Sequence, residues 1–432
     1  MTTLSGADAR DADLAAQYEA YPYPQRDPRD EAKRLLIGSP SHLREIDYWV
    51  FGARRPQAVP LRALVAGCGT GDGAIMLATH LARASRAGEV VCVDRSTHAL
   101  GIARARAEAR GLGNIRFIQG SLNALDGLDL GLFDYIDCCG VLHHLPDPAA
   151  VLGELEGLLA PGGGMGLMVY APYGRTGVYM VQEALEILAP HGQKPAERLG
   201  TAKRVMAALP ATAWLRQNGN FGDHLTGGDA GLYDLLLNPR DRAYTIGGFL
   251  DLLDGAGLEP SCLMEPARYD AALFLPNPRL RARVAELGWR ERASVAEALT
   301  GNMATHVAYV VRKGARVAAP DCCDADAVPV MREMPGAELA RQIRPDGMLP
   351  FAFGTLTVPV PVPPQIRTIL PLVDGTRSVG ALAGLMADGG MERNRFLKVW
   401  REGFTVLESL NRVLLRPPCE AEPDRALPAV LK

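Results

Sequence analysis

Short apolar runs alternate with longer segments of helical periodicity through the middle of the chain. The predicted strands cover residues 61–66, 89–94, 114–119, 133–139, 165–170, 262–265 and 306–312. The predicted helices between the first five strands cover residues 74–86, 96–110 and 148–159. Strands separated by helices of this length favour a parallel sheet with helices on both faces, so the chain is predicted to have an α/β fold.

The regular alternation is interrupted between the fifth and sixth predicted strands. Residues 174–241 hold helical patterns and a glycine-rich run, too long for a connection and too apolar for a linker. We expect them to form a cap over the C-terminal edge of the sheet. Residues 1–46 are polar and broken by prolines, and are expected to pack near the same edge. Residues 47–313 then form one domain that includes the cap.

The character of the sequence changes after residue 313. Residues 314–329 are rich in Ala, Asp and Pro and are predicted to be a linker. Residues 330–417 combine an extended Pro–Val segment with three short helical patterns, which predicts a small winged-helix-like α+β domain, and residues 418–432 form a tail. We expect this accessory domain to be separable. The alternative is that its apolar helix at 365–372 packs permanently over the cap.

The composition adds exclusions. The 432 residues are 48% hydrophobic and carry a formal net charge of −3, so no overall positive field favours nucleic acid. No run approaches the roughly 18 to 20 apolar residues of a spanning helix, and no apolar signal segment is visible at the N-terminus. The eight cysteines form no C-x-x-C pair, which is typical of reduced thiols and predicts a cytoplasmic protein. Cys322 and Cys323 have no further ligand at a suitable spacing, so no metal is expected.

A glycine loop follows the first predicted strand. Gly67, Gly69 and Gly71 would let the backbone approach a ligand and leave helix N–H groups available. Asp94 ends the second strand, 23 residues after Gly71, where a carboxylate can accept both hydroxyls of a ribose. A nucleotide-type ligand is therefore predicted. The spacing Gly69-x-Gly71-x-x-Ala74 also fits the dinucleotide fingerprint of a dehydrogenase, which stays the rival interpretation.

Three further motifs bear on that choice: F-D-x-I at 133–136, L-H-H-L at 142–145 and L-x-P-G-G at 159–163. With the glycine loop and Asp94, they resemble the class I S-adenosylmethionine-dependent methyltransferases over residues 47–312. The resemblance implies a Rossmann-like seven-stranded sheet whose last strand is antiparallel. It also implies S-adenosylmethionine as the cofactor, bound at the C-terminal edge of strands one to four.

Carried over residue by residue, the resemblance implies a set of cofactor-binding positions. They are Gly67, Gly69, Gly71, Asp94, Ser121, Leu122 and Gly140. Two positions depart from the family pattern, because Ser121 and Ala66 stand where many members carry acidic residues. These departures motivate an alternative in which the chain binds the cofactor without catalysis and acts as an interaction protein.

Candidate catalytic residues follow the fourth and fifth strands. His143, His144 and Tyr173 would lie beside the methyl group to be transferred, although a histidine in this turn can also be structural. Tyr18 and Tyr21, ahead of the sheet, would cradle a cation or pack the N-terminal segment onto the sheet.

The acceptor is the least constrained part of the prediction. We favour a protein or peptide, because the accessory domain is otherwise unexplained. A small molecule such as a lipid, a quinone or a natural product is the alternative. No Asn-Pro-Pro-Tyr-like motif follows the fourth strand, which argues against a base amine or a glutamine amide. No nucleic-acid partner and no membrane association are expected, and the sequence predicts no oligomeric state.

Overall fold

A seven-stranded sheet organises the larger part of the computed structural model, which describes residues 6–220, 222–315 and 318–417. The tail at 418–432 lies outside the described residues. The strands are β1 Leu61–Ala66, β2 Gly88–Asp94, β3 Ile115–Gln119, β4 Phe133–Cys139, β5 Leu159–Tyr170, β6 Leu258–Leu263 and β7 Thr305–Arg312. Their order is β3-β2-β1-β4-β5-β7-β6, with β7 antiparallel to both of its neighbours. The predicted Rossmann-like α/β sheet, with its antiparallel last strand, is confirmed.

Two strands begin four or more residues earlier than predicted. β5 starts at Leu159 instead of residue 165, because Leu159 pairs with Phe133 across an irregularity in the register. β6 starts at Leu258 instead of residue 262, and its register shifts between Pro260 and Cys262. A proline cannot donate a hydrogen bond to a neighbouring strand, so its presence argues against a strand when only the sequence is considered.

Helices cover both faces of this sheet. The helices that precede β5 are α1 Gly6–Ala20, α2 Leu43–Glu45, α3 Asp72–Arg83, α4 Thr97–Ala109 and α5 Pro148–Gly157, and α1 contacts α4 and a helix of the cap. Successive residues of β1 point to opposite faces of the sheet. Leu64 packs in the apolar core that contains α5, and Ala63 and Val65 pack in the core that contains α3. The Ser96 hydroxyl caps α4 by accepting from the Ala99 N–H.

The cap inserted after β5 is helical and has its own apolar core. Its helices are α6 Val178–Leu188, α7 Pro195–Ala208, α8 Trp214–Gln217, α9 Asp223–Thr226 and α10 Gly228–Leu237. Tyr21 packs against this core and stacks on Tyr233, with ring centroids 5.2 Å apart. The chain then returns to the sheet through α11 Ile246–Gly255, α12 Pro278–Ala285 and α13 Trp289–Thr300. The N-terminal tyrosine therefore packs on the cap, not directly on the sheet.

The C-terminal part combines two small antiparallel strand pairs with helices. The elements are β8 Pro329–Met331, α14 Gly336–Gln342, β9 Met348–Phe353, β10 Leu356–Pro361, α15 Ile366–Ile369, α16 Val379–Asp388, α17 Arg393–Ser409 and β11 Val413–Leu415. β9 pairs with β10, and β8 pairs with β11. In β10, Val358 and Val360 point inward and the prolines outward, so the Pro–Val segment is extended as predicted. Its likeness to a winged helix stays a prediction.

The C-terminal elements share a core with the residues that precede the sheet. Tyr48, Ala53 and Ala267 belong to the same apolar cluster as α14 to α17. Glu45 is buried there, pairs with Arg332 and accepts from the Asn411 side chain at 2.6 Å. These contacts join the C-terminal elements to the residues before the sheet, and their apolar cluster includes no described residue of the cap at 174–241. The division at the linker of residues 314–329 stays a prediction. Among the described residues, no helix has the length and apolar character that crossing a bilayer requires.

Candidate active site

The glycine loop between β1 and α3 needs its glycines for two physical reasons. Gly67 and Gly69 have positive φ angles of +74° and +52°. A Cβ at Gly67 would lie 2.6 Å from a methyl of Val141, and one at Gly69 would lie 2.8 Å from the Tyr23 carbonyl oxygen. Gly71 precedes α3 without a side-chain cap, so backbone N–H groups of the first turn remain available to a ligand.

Asp94 stands beside this loop at the end of β2. Its carboxylate accepts the Gly69 N–H at 2.7 Å and the Ser96 N–H at 2.9 Å. Burial raises the pKa of Asp94, although both N–H bonds favour the charged form. A carboxylate has about four acceptor positions, so capacity remains for two ribose hydroxyls. The residues present therefore fit an adenosyl group at this edge.

The N-terminal segment closes over the glycine loop. The Thr70 hydroxyl donates to the Pro24 carbonyl at 2.7 Å. Arg26 and the buried Arg106 both pair with Asp72, each at 2.6 Å. Burial opposes ionisation of Asp72, but the two guanidinium groups outweigh it and hold its pKa below the usual value. These pairs fix the segment against the loop that is predicted to bind the cofactor.

The other predicted cofactor positions lie nearby in sequence but have different surroundings. The Ser121 hydroxyl accepts the Asn123 N–H at 3.2 Å and caps a short helical turn. The Leu122 side chain is buried in the core of the sheet, which leaves only its backbone for a ligand. Gly140 follows β4 with a φ of +78°, and its N–H donates to the Met168 carbonyl. Their roles toward adenine and methionine stay predictions.

The two histidines after β4 are not equivalent. His143 is 1% exposed, and neither of its ring nitrogens has a hydrogen-bond partner within the described part of the chain. Burial lowers the pKa of His143 well below its usual value, and His144 and Arg175 lower it further. His144 instead places Nδ1 2.6 Å from the Arg240 carbonyl oxygen, a contact that joins this turn to the segment after α10. Its catalytic role stays a prediction.

Tyr170, the last residue of β5, is the aromatic group beside His143. The ring centroids of His143 and Tyr170 are 3.8 Å apart. The Arg175 guanidinium also contacts Tyr170, 3.7 Å from its ring centroid. Arg175 is held by Asp241 at 2.8 Å in a buried pair. Tyr173, the predicted candidate, is 42% exposed and does not line the cleft described next. The structure therefore brings Tyr170, and not Tyr173, to His143.

A cleft of about 580 Å³ opens beside His143. It lies between the turn that follows β4, helices α6 and α7, and the segment that follows α10. Its lining residues include His143, Leu145, Gln182, Leu185, Glu186, Arg198 and Arg242. A cleft of this size, with a buried imidazole at its wall, is typical of a site that binds the reacting group of a second substrate.

Asp234 is a functional candidate that the sequence analysis missed. Its buried carboxylate accepts the hydroxyls of Tyr18 at 3.1 Å and Tyr170 at 3.2 Å. It thereby joins α1, the end of β5 and α10. Burial raises the pKa of Asp234, while His144 and the Tyr18 bond act in the opposite direction. The sequence signal that could have identified Asp234 is an acidic residue within the apolar run of α10.

Replacing Asp234 should loosen this junction. In Asp234→Ala, the buried Tyr170 phenol and the partly buried Tyr18 phenol lose their acceptor, and we expect the free energy of unfolding to fall by about 3 kcal/mol. Denaturant unfolding measures this change. Asp229→Ala, on the same helix, removes a half-exposed carboxylate paired with Lys203 and should have little effect. Equal stabilities of the two variants would contradict the role of Asp234 in holding α1, β5 and α10 together.

Comparisons with known proteins agree with this geometry. A family model described as a methyltransferase domain matches residues 64–165. An uncharacterized protein of Synechococcus is 31% identical over 292 residues, which cover 66% of this chain and 68% of that protein. The ubiquinone biosynthesis O-methyltransferase of Acinetobacter baylyi is 29% identical over 148 residues, which cover 34% of this chain and 58% of that enzyme.

A solved structure shares the fold over a longer span. PKMT2 from Rickettsia typhi, in complex with AdoHcy, superposes with a TM-score of 0.61 at 17% identity, over 88% of this chain and 75% of that chain. The sheet order, the glycine loop beside Asp94 and the matched relatives exclude the dehydrogenase interpretation. The methyl donor is S-adenosylmethionine, and the chain belongs to the class I S-adenosylmethionine-dependent methyltransferases.

Proposed function

We propose that the enzyme methylates a protein or peptide whose nucleophile enters the cleft at His143. Helix α6 carries the argument, because it lines the cleft with Gln182 and Leu185 and also exposes apolar side chains to solvent. Ile187 is 79% exposed and Met180 is 57% exposed. Exposed apolar groups beside a cleft suit a polypeptide, whereas a small substrate would not reach them.

The extent of the structural likeness supports the same proposal. The fold shared with PKMT2 spans 88% of this chain, so it includes much of the cap and the C-terminal elements. The sequence match to the ubiquinone enzyme spans 148 residues, about a third of this chain. The similarity to PKMT2 therefore extends beyond the part of the chain that binds the cofactor.

The chain's own residues would position the two reactants. Bound S-adenosylmethionine supplies an activated methyl group, which a nucleophile accepts by in-line displacement. Asp94 and the glycine loop would hold the adenosyl group at the edge of the sheet. His143 stays neutral because burial lowers its pKa, so its unpartnered nitrogen can accept a hydrogen bond from the nucleophile and orient the attacking lone pair. Tyr170 and the N-terminal segment would exclude water from that contact.

A small-molecule acceptor is the second candidate. The relative that acts in ubiquinone biosynthesis favours it, and about 580 Å³ is enough for a drug-sized ligand. Tritium transfer from labelled S-adenosylmethionine to a bacterial extract separates the two candidates. Label retained in protein bands supports the protein acceptor, and label in the solvent-extractable fraction overturns it. The Asp94→Ala variant provides the background.

His143 should matter for turnover more than for cofactor binding. In His143→Asn, the nitrogen that orients the nucleophile is displaced, and we expect the turnover rate to fall about tenfold to a hundredfold. Affinity for S-adenosylhomocysteine, measured by calorimetry, should remain unchanged. His144→Gln provides the comparison. It should lower thermal stability but reduce the turnover rate less than His143→Asn does. Unchanged turnover in a folded His143→Asn protein would remove His143 from the reaction.

A further inference from the structure

Two histidines and a glutamate from distant parts of the chain meet away from the cleft. His42 immediately precedes α2, His80 lies in the last turn of α3, and Glu333 follows β8. A ligand atom from each residue lies within 4.8 Å of those from the other two. Both imidazoles are buried, with exposures of 0% and 1%, while the Glu333 side chain is 30% exposed.

Few other contacts compete for these side chains. His42 Nε2 lies 2.5 Å from Glu333 Oε1, and His42 Nδ1 has no hydrogen-bond partner among the described residues. The His80 ring accepts a long bond of 3.5 Å from the Leu43 N–H, and the two imidazole centroids are 4.6 Å apart. Arg332, next in the chain to Glu333, pairs with Glu45. The Glu333 carboxylate therefore remains directed at the histidines.

We propose that His42, His80 and Glu333 form a binding site for one zinc ion. Two neutral imidazole nitrogens and one carboxylate oxygen are ligands that zinc accepts at about 2.0 to 2.2 Å, with water able to fill the fourth tetrahedral position. The site has a formal charge of −1, which suits a divalent cation. Small side-chain rotations would bring ligand atoms that already lie within 4.8 Å to zinc-binding distances.

The position of the site gives the ion a structural role. His42 belongs to the N-terminal segment, His80 to the helix that begins at the glycine loop, and Glu333 to the C-terminal elements. Zinc would therefore clamp the C-terminal part to the cofactor-binding helix. This inference does not depend on the identity of the methyl acceptor, because binding of the metal is measured without turnover.

Zinc titration of the full-length protein tests the site. The protein is first stripped with a chelator and desalted, then titrated with zinc chloride in a calorimeter, and its metal content is measured. We expect one zinc per chain and a raised melting temperature. Glu333→Gln keeps the side-chain shape but removes the charge, and should weaken zinc binding at least tenfold. Glu338→Gln, an exposed position on α14, is the matched control and should bind like the wild type.

Two further variants keep the result decisive. Cys322 and Cys323 also lie close together beside Asp321, so their double replacement by serine must leave the zinc stoichiometry unchanged. Glu333→Cys supplies a different zinc ligand at the same position and should restore binding lost in Glu333→Gln. The proposal is overturned if the wild type binds no zinc, if Glu333→Gln binds it equally well, or if uptake follows the cysteines.

Discussion

A protein that ends at residue 314 is expected to be insoluble when produced in bacteria. The deletion would expose Tyr48 and Ala53, which pack in the core of the C-terminal elements. It would also remove Arg332 and Asn411 from the buried Glu45 carboxylate. Exposure of this apolar core and loss of the ion pair both favour aggregation, and a typical protein is stabilised by only about 5 to 15 kcal/mol.

The matched control is a shorter deletion that begins at residue 418. It leaves Arg332, Asn411 and the apolar core in place, so it should give a soluble protein that binds S-adenosylhomocysteine. Solubility after centrifugation and the melting temperature distinguish the two deletions. If the protein that ends at residue 314 is soluble and binds the ligand, the division at the predicted linker of residues 314–329 holds, and the shared core contributes little.

A single-residue variant tests the same interface without exposing the core. Glu45→Gln removes the charge that holds Arg332 but keeps the size of the side chain. Burial raises the pKa of Glu45, yet Arg332 and the neighbouring hydrogen-bond donors outweigh burial and hold it below the usual value. The carboxylate is therefore charged in the folded protein, and its contribution to stability should be lost as pH falls through this lowered pKa.

The sheet could be predicted from the sequence because its signals are local. β1 and β4 coincide with the predicted runs at 61–66 and 133–139, since both are buried on two faces and read as continuous apolar stretches. The start of β6 could not be predicted, because Pro260 interrupts its pattern. The early start of β5 depends on pairing with Phe133, which no local pattern encodes.

In the candidate site, too, contacts between elements close in the chain could be predicted, and contacts between distant elements could not. Gly69 and Asp94 are 25 residues apart, and the strand–loop–strand pattern predicted that they would meet. Tyr18 and Asp234 are 216 residues apart, and Tyr48 and Glu408 are 360 apart, so only tertiary packing joins them. The contact of Tyr170 with His143 has the same origin, because only tertiary packing brings their rings together. The predicted role of Tyr173, which rests on its position after β5, stays a prediction.

Asp94→Ala is expected to weaken binding of S-adenosylhomocysteine at least tenfold. Each charge-assisted hydrogen bond to a ribose hydroxyl contributes roughly 1.5 to 3 kcal/mol, and about 1.4 kcal/mol corresponds to a factor of ten. The variant also releases the Gly69 N–H, which orients the loop. Calorimetry measures the affinity, and thermal unfolding confirms that the protein is folded. Glu89→Ala, at the opposite end of β2, removes a half-exposed carboxylate paired with Arg62 and should bind normally.

The pH dependence of binding distinguishes a direct contact from a structural effect. Burial raises the pKa of Asp94 in the free protein, and hydroxyl donors from the ligand favour its charged form. Affinity of the wild type should therefore decline as pH falls through this raised pKa, above the value of about 3.9 for an exposed aspartate. Asp94→Asn, which keeps one acceptor oxygen and has no charge to lose, should bind weakly with no such decline. A wild type and an Asn variant with the same pH profile would place the ribose away from Asp94.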